Sequence, residues 1–122
     1  MFAGKYRLSN LTAIMDRNNI QIDGDTEDIM PLEPLRDKYE AFGWHVIEVD
    51  GHNIAQFVAA CDEVKAIREK PTLILAHTTP GKGVPEIEGD YHWHGGGPGK
   101  GVPSAEQKDP FIAAIKASAQ SL

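Results

Sequence analysis

The sequence predicts an α/β domain with a mostly parallel sheet and flanking helices, and three observations predict it. Short, nearly continuous apolar runs recur at 11–15, 44–49 and 72–77, as strands buried on both faces do. Helical periodicity fills the spaces between them, and strand–helix–strand–helix–strand is the order of parallel crossovers. Polar clusters stand where each run ends, and open α/β sheets place their ligand crevices at the carboxyl ends of strands.

In order along the chain, residues 1–10 resemble the tail of a helix and its exit, with Phe2, Tyr6 and Leu8 as an apolar stripe. Leu11 to Met15 form the first strand, and Asp16, Arg17, Asn18 and Asn19 follow it. Asn18 offers a neutral amide oxygen, and the turn after it can expose backbone carbonyls, a donor set suited to Mg²⁺. Asp23-Gly24 supplies turn chemistry. Residues 25–31 are acidic and turn-rich. Pro34 fits the first turn of a helix carrying Leu35, Tyr39 and Phe42, which Gly43 stops.

After the second strand, Asn53 with Gln56 makes a capping-box start. Ile54, Phe57, Val58, Cys61, Val64 and Ile67 then form an apolar helix face running to about Glu69, and Lys70-Pro71 ends it. Thr72 to His77 is the third strand. A loop over 79–104 is longer than structural connections usually run. It holds Gly81-Lys82-Gly83, whose backbone N–H groups could meet an anion, and Tyr91-His92-Trp93-His94-Gly95. The remaining glycine spacing of a Walker loop is absent. Gly-Lys-Gly-Val-Pro occurs at 81–85 and again at 99–103, too little for a repeat architecture. Asp109-Pro110 opens a final helix docking through Phe111, Ile112 and Ile115. A three-stranded core leaves two raw edges, so the chain is expected to self-associate or to need partner chains.

Composition excludes several classes. With 122 residues the chain is one modest domain, and 41% hydrophobic with 25% charged residues describes a folded chain rather than a disordered one. A net charge of −6 argues against nucleic acid or an anionic membrane as a broad partner, while leaving room for a local basic patch that binds phosphate. The single Cys61 excludes an internal disulfide and suits packing more than reactivity. No apolar run reaches the length of a membrane span, and a cytoplasmic location is expected. His92 and His94 have the spacing of a metal-ligand fragment, but no nearby Cys completes such a set. His45, His52 and His77 read as structural, although His77 ends a strand near the presumed site.

The stretch Asn18-Asn19-Ile20-Gln21-Ile22-Asp23-Gly24 resembles the second half of the thiamine-diphosphate-binding motif of transketolases. Gly81 to Val84 and Trp93-His94-Gly95 resemble the Gly-Lys-Gly-Val and Trp-His-Gly of split-subunit and prokaryotic members, so the likeness covers residues 1–95. The resemblance implies a partial three-layer thiamine-diphosphate-binding fold, with residues 1–122 its C-terminal portion. It places Asn18 and the Ile20 carbonyl on Mg²⁺, Ile22, Pro80 and Gly81 beside the cofactor, and His94 at the diphosphate and the donor substrate. Pro80 stands where the family often has isoleucine.

The implied activity moves a two-carbon ketol unit from a ketose phosphate to an aldose phosphate. No Gly-Asp-Gly occurs in the 17 residues before Asn18, so the family's aspartate ligand of Mg²⁺ is not here. The pyrimidine-binding domain with its glutamate is not here either. The expectation is a transketolase piece that needs a complementary subunit, or the missing segments, to act on sugar phosphates. The stretch after His94 is richer in glycine than the family pattern and is expected to be mobile. Rival classes are a deoxyxylulose-phosphate synthase or pyruvate dehydrogenase alpha subunit, which share the asparagine-centred motif without Trp93-His94-Gly95, and a non-catalytic α/β scaffold.

Overall fold

A computed structural model describes residues 1–95 and 103–119. The chain divides into two compact units, Met1–Arg17 with Leu32–Thr78, and Asn18–Pro31 with Thr79–Leu122.

The first unit carries the sheet. Strands β1 (Thr12–Arg17), β4 (His45–Asp50) and β5 (Thr72–His77) lie parallel in the order β1-β5-β4, with Ile14 and Ile47 both in register with Ile74. The third run in sequence is therefore the central strand. It is buried from Thr72 to Ala76, the two-faced burial that an unbroken apolar run implies. Alternation divides its side chains between two cores. Leu73 and Leu75 join Leu35, Trp44 and Val46 on one face, with Ala3 and Tyr39 packed against them. Ile74 and Ala76 join Val49 and Ala60 on the other, with Phe57, Cys61 and Val64. Helices α1 (Phe2–Lys5) and α3 (Leu35–Ala41) thus cover one side and α4 (Ile54–Val64) the other, giving three layers.

Local signals set the boundaries. Pro34 sits one residue earlier than expected, at the N-cap of α3, and Gly43 follows the helix at φ +83 in the left-handed region where glycine costs least. Helix α1 closes with Leu8 N–H on the Ala3 carbonyl and Arg7 N–H on the Gly4 carbonyl. That is a Schellman closure, with Arg7 at φ +49 in the position usually given to glycine. At α4, Asn53 Oδ1 accepts the Gln56 N–H, but Gln56 Oε1 accepts from Asp50 rather than from Asn53. The helix ends at Val64, short of Glu69, and its apolar face is narrower than the sequence implied, because Ile54 and Val58 stay exposed.

In the second unit, β2 (Ile20–Gln21) and β3 (Gly24–Asp25) pair as an antiparallel hairpin, followed by the short α2 (Thr26–Ile29). Ile22 and Asp23 form its turn, so Gly24 belongs to a strand and not to the turn expected there. The final helix, α5 (Ala105–Ala119), begins before Asp109. Ser104 Oγ accepts the Gln107 N–H while Gln107 Oε1 accepts the Ser104 N–H, a reciprocal capping box. Pro110 lies inside the helix, and of the expected docking face only Phe111 is buried; Ile112 and Ile115 are exposed.

Candidate functional site

All six residues singled out by the sequence fall in the second unit. Asn18 Oδ1 accepts the Ile20 N–H at 3.1 Å, which folds the chain tightly around Asn19 at φ +65. Asparagine tolerates that left-handed conformation better than most residues. The Asn19 carbonyl accepts the Thr26 N–H at 2.9 Å, continuing the hairpin ladder beyond Ile20↔Asp25. Antiparallel ladders alternate, so a bonded Asn19–Thr26 pair leaves Ile20 at a non-hydrogen-bonded position. The Ile20 main chain consequently faces away from β3, on the edge that carries the Asn18 amide. The Ile20 side chain is buried and anchors this edge, while Ile22 at the turn is 77% exposed.

The loop after Thr79 is organised by its own polar groups. Lys82 N–H bonds to the Thr79 carbonyl, Val84 N–H to that of Gly81, and Gly89 N–H to that of Pro80. Gly81 adopts φ +71, and a Cβ there would meet the Ile87 side chain at 2.8 Å, so local packing alone demands glycine. The anion expected over Gly81-Lys82-Gly83 is supplied from within. Gly83 N–H donates to Glu88 Oε1 at 2.9 Å, and Lys82 Nζ stands 3.8 Å from Glu88 Oε2. Glu88 is the residue that the sequence does not single out, since its bond to Gly83 depends on how the loop closes.

The two loop histidines differ. His92 is held by Asp90, whose oxygen takes both the His92 backbone N–H at 2.9 Å and its Nδ1 at 2.7 Å, and the ring stacks on Tyr91. The backbone and side-chain bonds from His92 hold the Asp90 carboxyl below its usual range. His94 caps the short 3₁₀ turn Tyr91–Trp93 through its N–H on the Tyr91 carbonyl at 2.9 Å. Its side chain is exposed and, among the described residues, makes no hydrogen bond or ion pair. Trp93 fixes the turn against Phe111 of α5, and β3 packs against the same turn. The hairpin at 18–24 and the histidine turn are therefore neighbours.

Among the described residues, no group of three or more His, Cys, Asp or Glu is arranged to hold a metal. Neutral oxygens from the chain and a ligand's own anionic oxygens make a donor set of another kind. Mg²⁺ bound beside a diphosphate has that donor set, so the edge formed by Asn18 and Ile20 fits it. Of the stretch expected to be mobile, 95–101, all but Gly95 lies outside the described residues. No described helix is long and apolar enough to cross a membrane.

Comparison with known proteins bears on the same residues. Residues 1–108 match the model of the transketolase thiamine diphosphate binding domain. The chain is 39% identical over 122 residues to an apulose-4-phosphate transketolase subunit of Phocaeicola vulgatus, covering all of this chain and 42% of that protein. It is 50% identical over 94 residues to a 6-deoxy-6-sulfo-D-fructose transketolase subunit of Clostridium sp., covering 77% of this chain and 34% of that one. It thus spans less than half the length of these curated relatives. Among solved structures, transketolase from Campylobacter jejuni superposes with a TM-score of 0.68 at 36% identity, over 74% of this chain and 14% of that chain. A Pichia stipitis transketolase superposes at 0.67 and 29% identity, over 97% of this chain and 20% of that chain. The chain belongs to the transketolase family, within its thiamine-diphosphate-binding domain.

Proposed function

We propose that residues 1–122 form the C-terminal portion of a thiamine-diphosphate-binding domain in an enzyme that transfers a two-carbon ketol unit from a ketose phosphate to an aldose phosphate. The observation that carries this is the hairpin edge, where the Asn18 amide oxygen and the Ile20 main chain lie together, in a hairpin whose other strand, β3, packs against the turn leading to His94. Asn18 and the Ile20 carbonyl would supply two oxygens to Mg²⁺, with Ile22, Pro80 and Gly81 lining the cofactor. When bound, thiamine diphosphate supplies the carbanion chemistry of the transfer.

His94 is the group in this chain suited to hold or move a proton at the substrate. Its imidazole is exposed and makes no hydrogen bond or ion pair among the described residues, and an imidazole ring can both accept and donate a proton. His92 is spent on Asp90 and has a structural role. The Gly-Asp-Gly half of the motif is not among these residues, so the site is completed by another segment or by a second chain. Relatives named as transketolase subunits support a complementary chain.

The test is reconstitution with a complementary portion that carries Gly-Asp-Gly and the pyrimidine-binding domain, followed by an assay of ketol transfer. His94→Ala should lower turnover by about 10²–10⁴-fold, the worth of a positioned acid–base group, while His92→Ala changes it little. Equal losses in both variants would contradict the assignment. Absence of transfer in an assembled, cofactor-loaded complex would contradict the activity.

A further inference from the structure

We propose that the amino-terminal edge of the sheet carries a separate anion site, suited to the phosphate group of a small molecule and independent of the cofactor reading. A groove of about 460 Å³ opens beside His45, the first residue of β4, and is walled by residues 66–70 leading into β5. A second groove of about 290 Å³ adjoins it through Glu69 and Lys70 and adds Arg7. Both lie at the end of the sheet remote from Arg17, Asp50 and His77, the carboxyl ends of the three strands.

The charge pattern singles this edge out. Elsewhere in the same unit Arg17 pairs with Glu33, Arg36 with Glu40 and Glu48, and Lys65 with Asp62, while Lys38 meets two carbonyls and Lys5 lies over the Tyr6 ring. Arg7, Arg68 and Lys70 make no ion pair or side-chain hydrogen bond among the described residues. Three uncompensated cations converge on adjoining grooves in a chain of net charge −6. Glu69 is the one acid lining either groove.

His45 lines the first groove as well. Its Nε2 is shielded from solvent without a hydrogen-bond partner, and the Glu63 carboxylate at 3.7 Å is too distant to provide one. A phosphate suits this set because an arginine fork binds two of its oxygens and a lysine adds a point charge. The groove has the size of small-molecule sites, and the acidic chain as a whole repels an extended polyanion.

The experiment is residue-resolved ¹H–¹⁵N NMR of the full chain, titrated with inorganic phosphate and with glycerol 3-phosphate at constant ionic strength, with chloride as the control. Saturable shifts are expected at Arg7, His45 and residues 66–70. Arg68→Ala with Lys70→Ala should weaken binding by about tenfold or more, as loss of charged hydrogen bonds does. Arg7→Gly should also weaken it while leaving the fold intact, because the left-handed Schellman position favours glycine. Lys116→Ala, on α5, should leave binding unchanged. Tighter binding of glycerol 3-phosphate would assign the groove to a phosphorylated metabolite, and the reverse order to free phosphate. Shifts that follow chloride equally, shifts confined to residues 79–95, or wild-type affinity in the double variant would each overturn the site.

Discussion

The sheet unit and the segments that leave it solve different problems. In the sheet unit position is set by burial: Leu73 and Ile74 are each 1% exposed, and the two faces of one strand feed two apolar cores. In the second unit position is set mostly by polar geometry. An asparagine amide folds the chain onto Ile20, a glutamate ties a glycine turn, and an aspartate clamps one histidine beside another left exposed. Apolar burial dominates the first, and the groups proposed to meet the cofactor stand in the second.

That contrast makes substitutions in the two units fail differently. The largest expected effect is on turnover, in the His94→Ala and His92→Ala pair already described. Next, Leu73→Ala should cost about 2–5 kcal/mol of unfolding free energy, the range for truncating a fully buried leucine, read by urea denaturation. Ile22→Ser, at an exposed turn, should stay within about 0.5 kcal/mol of wild type while weakening cofactor binding. A large loss of stability at Ile22 would break the division of labour.

Gly4→Ala tests a close approach rather than a cavity. A Cβ at Gly4 would fall 1.8 Å from the Phe42 carbonyl oxygen, so α1 must shift away, at about 1–3 kcal/mol by analogy with overpacked cores. Thermal denaturation would read it.

The smallest effect is electrostatic. Arg36 and His77 hold the Glu48 carboxyl below its usual range by hydrogen bonding to its charged form. A lowered folded-state value stabilises above the unfolded value, near about pH 4.3, and that stabilisation is lost as pH falls through the folded value. Glu48 is partly exposed and solvent-screened, so the effect is modest. The drop in melting temperature between about pH 5 and 3 should be shallower in Glu48→Gln than in wild type. An unchanged slope would show that the Arg36–Glu48–His77 chain adds no pH dependence.

Legibility in the sequence follows the same division. β5 was readable to the residue because an unbroken apolar run bounded by Pro71 has one physical meaning, and Gly43 marked the end of α3. Periodicity overstated what is covered: Ile54, Val58, Ile112 and Ile115 keep helical spacing yet are exposed, since spacing gives a face and not its partner. The start of α5 was missed because Asp109-Pro110 outweighed the Ser104–Gln107 box five residues earlier. Asn18 and His94 stand out in the sequence through the motif resemblance. That Glu88 would occupy the Gly83 N–H does not, because it depends on a loop closing over five residues rather than on spacing.

The central claim is that the hairpin at 18–24 and the His94 turn together meet the metal and the cofactor. Titration of the full chain with thiamine diphosphate, with and without Mg²⁺, tests it most directly when followed by ¹H–¹⁵N NMR and calorimetry. The account predicts Mg²⁺-dependent shifts at residues 18–24 and at His94, lost in Asn18→Ala. It also predicts affinity weaker than about 100 μM, on the order of −5.5 kcal/mol, because one metal ligand and half the pocket come from elsewhere. Micromolar binding that survives Asn18→Ala, or shifts that avoid both segments, would contradict it.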